Sequence, residues 1–148
     1  MRAYCFLIPI FYLLSSVFTE WQPDFETAKK LAKTEHKLIL LNFSGSDWCG
    51  PCIKMKTEIF DNVDFKALAD TALVLLNADF PRNKRNQPPK EQQQHNELLA
   101  ERYNHEGKFP LTLLLTANGT VLKSWEGFPT GGIKAFNDAL KQISDEQH

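Results

Sequence analysis

The sequence predicts an α/β fold, a three-layer sandwich with a central mixed sheet and helices on both faces. Three observations carry that expectation. Lys37-Leu38-Ile39-Leu40-Leu41 is almost continuously apolar, as in a strand covered on both sides. Segments before and after it place apolar residues at i, i+3 and i+4, the spacing of amphipathic helices lying on a sheet. Asn118-Gly119 between two strand-like runs is a hairpin signal. Strands are expected over 37–43, 72–79, 110–116 and 120–126. At 148 residues, 43% hydrophobic and 24% charged, the chain is long enough for one globular domain and an appendage. A formal net charge of -1 gives no reason to expect nucleic acid or an anionic membrane surface as partner.

The appendage is residues 1–19. Arg2 supplies a positive start, and Ala3 through Leu14 is apolar apart from Pro9. This run falls short of the roughly 20 residues that span a bilayer, so it reads as a signal peptide with 20–148 as the exported domain. Ser16 or Thr19 would precede the cleavage point, although neither gives a small-x-small pattern. Cys5 is then a small apolar residue of the signal, and cleavage leaves Cys49 and Cys52. An exported chain with both cysteines in one C-x-x-C does not use disulfides as a framework.

Along the domain, residues 21–36 have helical periodicity through Phe25, Ala28, Leu31 and Ala32, with Asp24 as cap. After the first strand, 52–60 fits a helix with Ile53, Lys56, Ile59 and Phe60 on one face. Asp61-Asn62 marks a break, with Val63, Phe65 and Leu68 as core beyond it. Residues 81–90 have no apolar period and read as an exposed loop, its basic residues Arg82, Lys84 and Arg85 a solvated face. A helix follows over 90–104, with Pro89 suited to its first turn and Leu99 and Tyr103 on one face. His95 and His105 have no partner in sequence and read as surface histidines. Asn118-Gly119-Thr120 and Asn42-Phe43-Ser44 match a glycosylation sequon, which arises by chance. The last helix, 132–144, carries Ile133, Phe136, Ala139, Leu140 and Ile143 on one face.

The chemistry is concentrated in Asn42-Phe43-Ser44-Gly45-Ser46-Asp47-Trp48-Cys49-Gly50-Pro51-Cys52. Cys49 falls where a strand passes into a helix, so unpaired backbone N–H groups and the helix dipole favour its thiolate. At up to about 2 kcal/mol, the helix end lowers a thiol pKa from about 8.5 by roughly one unit. Cys52, one turn later, is expected to point inward and be less exposed. Cys49 is thus the attacking thiol and Cys52 the resolving one. Two other readings are weaker. A zinc site needs two more ligands, and His36, His95, His105 and His148 show no H-x-x-x-H spacing. A structural disulfide closing so short a loop adds little stability. Trp48, beside the nucleophile, is expected as a partly exposed wall.

Trp48-Cys49-Gly50-Pro51-Cys52 resembles the thioredoxin active-site signature, and the resemblance runs from about residue 24 to residue 143. The chain looks most like the secreted, single-domain thioredoxin-like proteins of bacteria. The resemblance implies a thioredoxin-like sandwich and a thiol:disulfide oxidoreductase acting on protein thiols and disulfides. It implies a monomer with no cofactor beyond the Cys49/Cys52 pair, no metal and no nucleic acid. Pro110 matches the family's cis-proline facing the cysteines, and Gly127 its groove-lining glycine; Trp48, Gly50, Pro51 and Phe109 complete the substrate groove. Phe109 is bulkier than many members carry there, which would narrow the groove or favour apolar segments. Gly50-Pro51 resembles reducing members, and so implies a periplasmic or extracellular reductase recharged by a membrane-embedded electron donor. Isomerase or weak oxidase is the alternative, and a peptide-binding module with a redox-sensing cysteine pair is a second class. Family members commonly carry a buried aspartate beneath the cysteines that takes the resolving thiol's proton. Asn42 occupies that position if the Ser44-Gly45-Ser46 loop holds one extra residue, and asparagine cannot accept the proton.

Overall fold

The computed structural model describes residues 20–147, so the expected signal peptide, Cys5 and His148 lie outside the described residues. In chain order the elements are β1 (Trp21–Gln22), α1 (Phe25–Glu35), β2 (Leu38–Ser44), α2 (Gly50–Met55) and a π-helical turn at Lys56–Phe60. Then come α3 (Val63–Ala72), β3 (Leu73–Asp79), a 3-10 turn at Lys84–Asn86 and α4 (Lys90–Tyr103). The chain closes with β4 (Leu111–Leu115), β5 (Val121–Glu126) and α5 (Gly132–Glu146).

The strands form one sheet in the order β1-β3-β2-β4-β5. β1, β3 and β2 run parallel, whereas β4 is antiparallel to β2 and β5 to β4. The sheet is therefore mixed, and all seven residues of its central strand β2 are buried. Side chains alternate across it. Ile39, Leu41 and Phe43 join Phe25, Ala28 and Leu99 in the core beneath α1 and α4. Leu38 and Leu40 join Met55, Ile59, Phe65, Phe136 and Leu140 on the other face. A ladder of rings, Trp21, Phe60, Phe65, Phe136 and Trp125, runs through that second core with centroids 4.9 to 6.3 Å apart.

Local signals explain the element ends. The Asp24 carboxylate accepts the Thr27 N–H and hydroxyl, so the expected cap of α1 is present. Residues 21–22 are not helical, however. They pair with Leu75 and Leu76 as a short parallel strand, because the residue before Pro23 is pushed to extended backbone. The break expected at Asp61-Asn62 separates the π turn from α3, with Asn62 capping α3 at Asp64 N–H. Two expectations, the shared face of Ile53 with Ile59 and Phe60 and the burial of Val63, fail around that break. Ile53 is 45% exposed and Lys56 faces solvent with it, because the helix turns Cys52, Met55 and Ile59 inward. Val63 is 75% exposed, since it opens α3 while Phe65 and Ala69 take the inner face.

The Asn118-Gly119 hairpin is seated on the first core. Gly119 has φ 87°, and a Cβ there would lie 2.7 Å from the Tyr103 hydroxyl, which donates to Gly119 O. His95 has a partner that sequence spacing does not reveal. Its Nε2 accepts the Phe25 N–H at 2.9 Å, so α4 satisfies an open donor at the start of α1.

Candidate active site

The site is built on the loop between β2 and α2. Trp48 and Cys49 N–H groups both donate to Gly45 O, folding the loop into a turn. Ser46 donates through its N–H and hydroxyl to the Asp79 carboxylate at the end of β3. Asp47 accepts from the Arg82 and Asn83 backbone N–H groups, each at 2.9 Å, and from Asn86 Nδ2 at 3.0 Å. These donors, the Arg82 N–H foremost, hold its carboxyl below the ordinary value of 3.8. The 81–90 segment is thus docked onto the cysteine loop, and Asp47 fastens it.

Trp48 is a half-buried wall, as expected, and it is gripped on every side. Its Nε1–H donates to Phe80 O at 2.7 Å. The Arg82 guanidinium lies 3.9 Å from its ring centroid, and Phe109 meets it edge-on at 5.4 Å. Gly45 passes so close beneath the indole that a Cβ there would stand 2.3 Å from a ring carbon. Phe109 also packs on Phe80, so its bulk belongs to a three-ring wall.

Cys49 and Cys52 form a disulfide, and Cys49 is the N-cap of α2, with Pro51 in the first turn. The Cys52 N–H donates to Cys49 Sγ at 3.3 Å, the bond that would hold a thiolate there. The Gly45 N–H approaches Cys52 Sγ at 3.5 Å. The expected difference in exposure is absent: Cys49 is 5% exposed and Cys52 4%. With both sulfurs in the disulfide and both closely packed, the asymmetry between them lies in the helix end and in what Cys52 faces.

Cys52 faces a cavity of about 250 Å³ on the α2 side of the sheet, whose walls include Asn42, Asn77 and Ser44, with Lys56 and Asp61 also lining it. Lys56 and Asp61 are ion-paired at 2.7 Å. Asn42 is 4% exposed and sits in register with Asn77 on β3 and Thr112 on β4. The Thr112 hydroxyl donates to Asn42 Oδ1, and Asn42 Nδ2 donates to Asn77 Oδ1, each at 2.9 Å. The amide at position 42 is therefore satisfied at both ends, beneath Cys52.

The second strand-to-loop element meets the first through Phe109. The Phe109-Pro110 peptide bond is cis, and buried Pro110 accepts the Gly127 N–H at 2.8 Å. Gly127 has φ 73°, which a residue with a side chain rarely adopts. Asn104 fixes the approach to this bond by exchanging two hydrogen bonds with the Lys108 backbone. Gly50 and Pro51 are exposed at the head of α2. Sequence reasoning placed Asp47 in the cysteine stretch without a role for it, and missed Asp79, Phe80 and Arg82 as parts of the site. Their partners are 32 to 35 residues away, and no local pattern announces such pairs. Among the described residues no group of three or more His, Cys, Asp or Glu is arranged to hold a metal.

Comparison with known proteins gives this geometry a family. A family model described as thioredoxin-like matches residues 20–117. The chain is 37% identical over 122 residues to the disulfide bond reductase DsbH of Chlamydia pneumoniae, covering 82% of this chain and 70% of that one. A solved structure of a DsbH oxidoreductase superposes with a TM-score of 0.77 at 32% identity, covering 98% of this chain and 94% of the other. A thioredoxin from Thermus thermophilus superposes with a TM-score of 0.62 at 17% identity, over 85% and 87%, which is a likeness of fold.

Proposed function

The chain belongs to the thioredoxin-like family, and we propose that it is a thiol:disulfide oxidoreductase that reduces protein disulfides outside the cytoplasm. The observation that carries this is Cys49 at the cap of α2, its sulfur bonded to Cys52 and receiving the Cys52 N–H. In the reduced protein that N–H and the helix end stabilise the Cys49 thiolate. The thiolate attacks one sulfur of a substrate disulfide, forming a mixed disulfide and releasing the other sulfur as a thiolate. Cys52 then loses its proton and attacks Cys49 Sγ. The second substrate thiol leaves, and the Cys49–Cys52 disulfide seen here is the product. Two electrons have passed from the protein to the substrate.

Asn42 cannot take the Cys52 proton. Its satisfied amide gives the cavity a polar wall at less cost than a buried carboxylate, and the space is large enough for several waters. Water there, in reach of the Lys56–Asp61 pair, is the proposed acceptor. Trp48, Gly50, Pro51, Phe109, Pro110 and Gly127 would form the groove for the substrate segment, and a membrane-embedded donor would return the electrons. Residues 1–19 are the proposed export signal, and similarity to a disulfide bond reductase supports the reducing direction.

Purified reduced protein should accelerate insulin reduction by dithiothreitol, and a rate equal to the uncatalysed one removes the proposal. Cys52→Ala should accumulate covalent complexes with its substrates and Cys49→Ala none. Equal capture by both would overturn the assigned roles. A reduction potential at or above that of glutathione would reverse the direction.

A further inference from the structure

Trp48 in the cysteine loop and Phe128 just after β5 each carry a cation on the ring face. Arg82 stacks on Trp48, immediately before Cys49, with its guanidinium carbon 3.9 Å from the ring centroid. Lys54 Nζ lies 4.2 Å from the Phe128 centroid. Phe128 follows Gly127, whose N–H is bonded to Pro110 O, so this second pair stands beside the cis-proline strand. Lys54 itself is two residues beyond Cys52.

Neither cation is an incidental surface charge. The Arg82 backbone is fixed by the Asp47 carboxylate, and no side-chain hydrogen bond or ion pair of its guanidinium is present among the described residues, which leaves its N–H donors for a carboxylate. Among the described residues Arg82, Lys54, Lys84 and Arg85 form no ion pair. Three nearby acids are held by other groups: Asp47 by the loop, Asp79 by Ser46, and Glu126 by Lys108 at 2.7 Å. A chain with a formal net charge of -1 thus presents stacked, unpaired cations beside its redox pair.

We propose that the preferred substrate is an acidic segment, in which Asp or Glu side chains flanking the reacting cysteine meet Arg82 on one side of the groove and Lys54 on the other. This rests on the reductase reading and names its substrate class. Exposed charge pairs are individually weak and screened by salt, so the preference is one of rate and selectivity.

Three peptides test it, each with one cysteine flanked on both sides by Glu, Ser or Lys and joined by a disulfide to a chromogenic thiol. The reduced protein converts each to free peptide thiol and free chromogenic thiol, ending as its own disulfide. At low salt kcat/KM for the Glu peptide should exceed that for the Ser peptide by about threefold to tenfold, with the Lys peptide slowest, and added salt should compress the order. The double variant Arg82→Gln, Lys54→Gln should bring the three values together, and Arg82→Glu, Lys54→Glu should invert them. Equal values in the unaltered protein, or an order unchanged in the Gln variant, overturn the acidic preference and leave the reductase reading standing. No turnover of any peptide removes the reductase reading and this one with it.

Discussion

One absent Cβ, at position 45, decides where the indole beside Cys49 lies. Any side chain at Gly45 enters the space of Trp48, which Phe80 O, Arg82 and Phe109 hold from the other sides. Gly45→Ala should therefore lower stability by about 1–3 kcal/mol, the usual cost of overpacking, with a lower urea midpoint. The insulin-reduction rate should fall with it, because the displaced ring adjoins Cys49; an unchanged midpoint would mean the loop absorbs the methyl freely. Position 42 poses the opposite problem, a polar group already satisfied. Asn42→Asp puts a carboxyl beneath Cys52 that can take its proton, so release from a preformed Cys49 mixed disulfide should speed up in stopped-flow measurements. Burial raises a carboxyl's pKa, so the variant's loss of stability should be small in acid and grow as pH rises, to a few kcal/mol at neutral pH. An unchanged rate and pH profile would show that position 42 takes no part in proton transfer.

Among the elements, the 81–90 segment is the exposed loop that composition suggested, but it is tied to the cysteine loop in a way that composition does not show. Asp47 turns it into part of the site, and that attachment is titratable. Its carboxyl sits below the ordinary value of 3.8, chiefly through the Arg82 N–H. For a depressed acid, the stabilisation is present above the ordinary value and is lost as pH falls through the lowered one. Arg82 and Asn83 amide resonances should accordingly shift together below about pH 4, and Asp47→Asn should abolish that shared transition. Shifts at these amides in Asp47→Asn equal to those in the unaltered protein would place the titration elsewhere. The contrast between this loop and the strands shows what was legible in the sequence. β2, β3, β4 and β5 begin and end within one residue of their expected positions, because burial on both faces leaves a continuous apolar run. The C-x-x-C spacing is a local signature, whereas the cis bond before Pro110 is expected only through resemblance. Asp47 with Arg82, Ser46 with Asp79 and His95 with Phe25 are polar pairs across distant elements, which hydrophobic period does not encode. Ile53 was misplaced for a related reason: the requirement that Cys52 face the cavity set the phase of the helix, and the apolar pattern of so short a segment did not.

Across the molecule, the two cores lie on opposite faces of the sheet, and the site loop crosses its end between them. What ties that end to the α1 and α4 face is a polar brace. Asn96 is 2% exposed; its Nδ2 donates to Asp79 O at 3.0 Å and its Oδ1 accepts from Gln92 at 2.9 Å. Its neighbour His95 accepts the Phe25 N–H at the start of α1, while the Asp79 carboxylate holds Ser46 in the cysteine loop. Asn96→Leu keeps the volume but leaves the part-buried Asp79 O without that donor, which costs about 1–3 kcal/mol. The urea midpoint should fall with an unchanged slope. Because the brace joins an apolar face to the site, the Ser46 amide should also lose hydrogen-exchange protection, while amides of α3 and α5 on the opposite core follow only the global change. If Ser46 instead exchanged in step with α5, Asn96 would be an ordinary core residue, and the cysteine loop would owe its position to its own turn and to Asp47 alone.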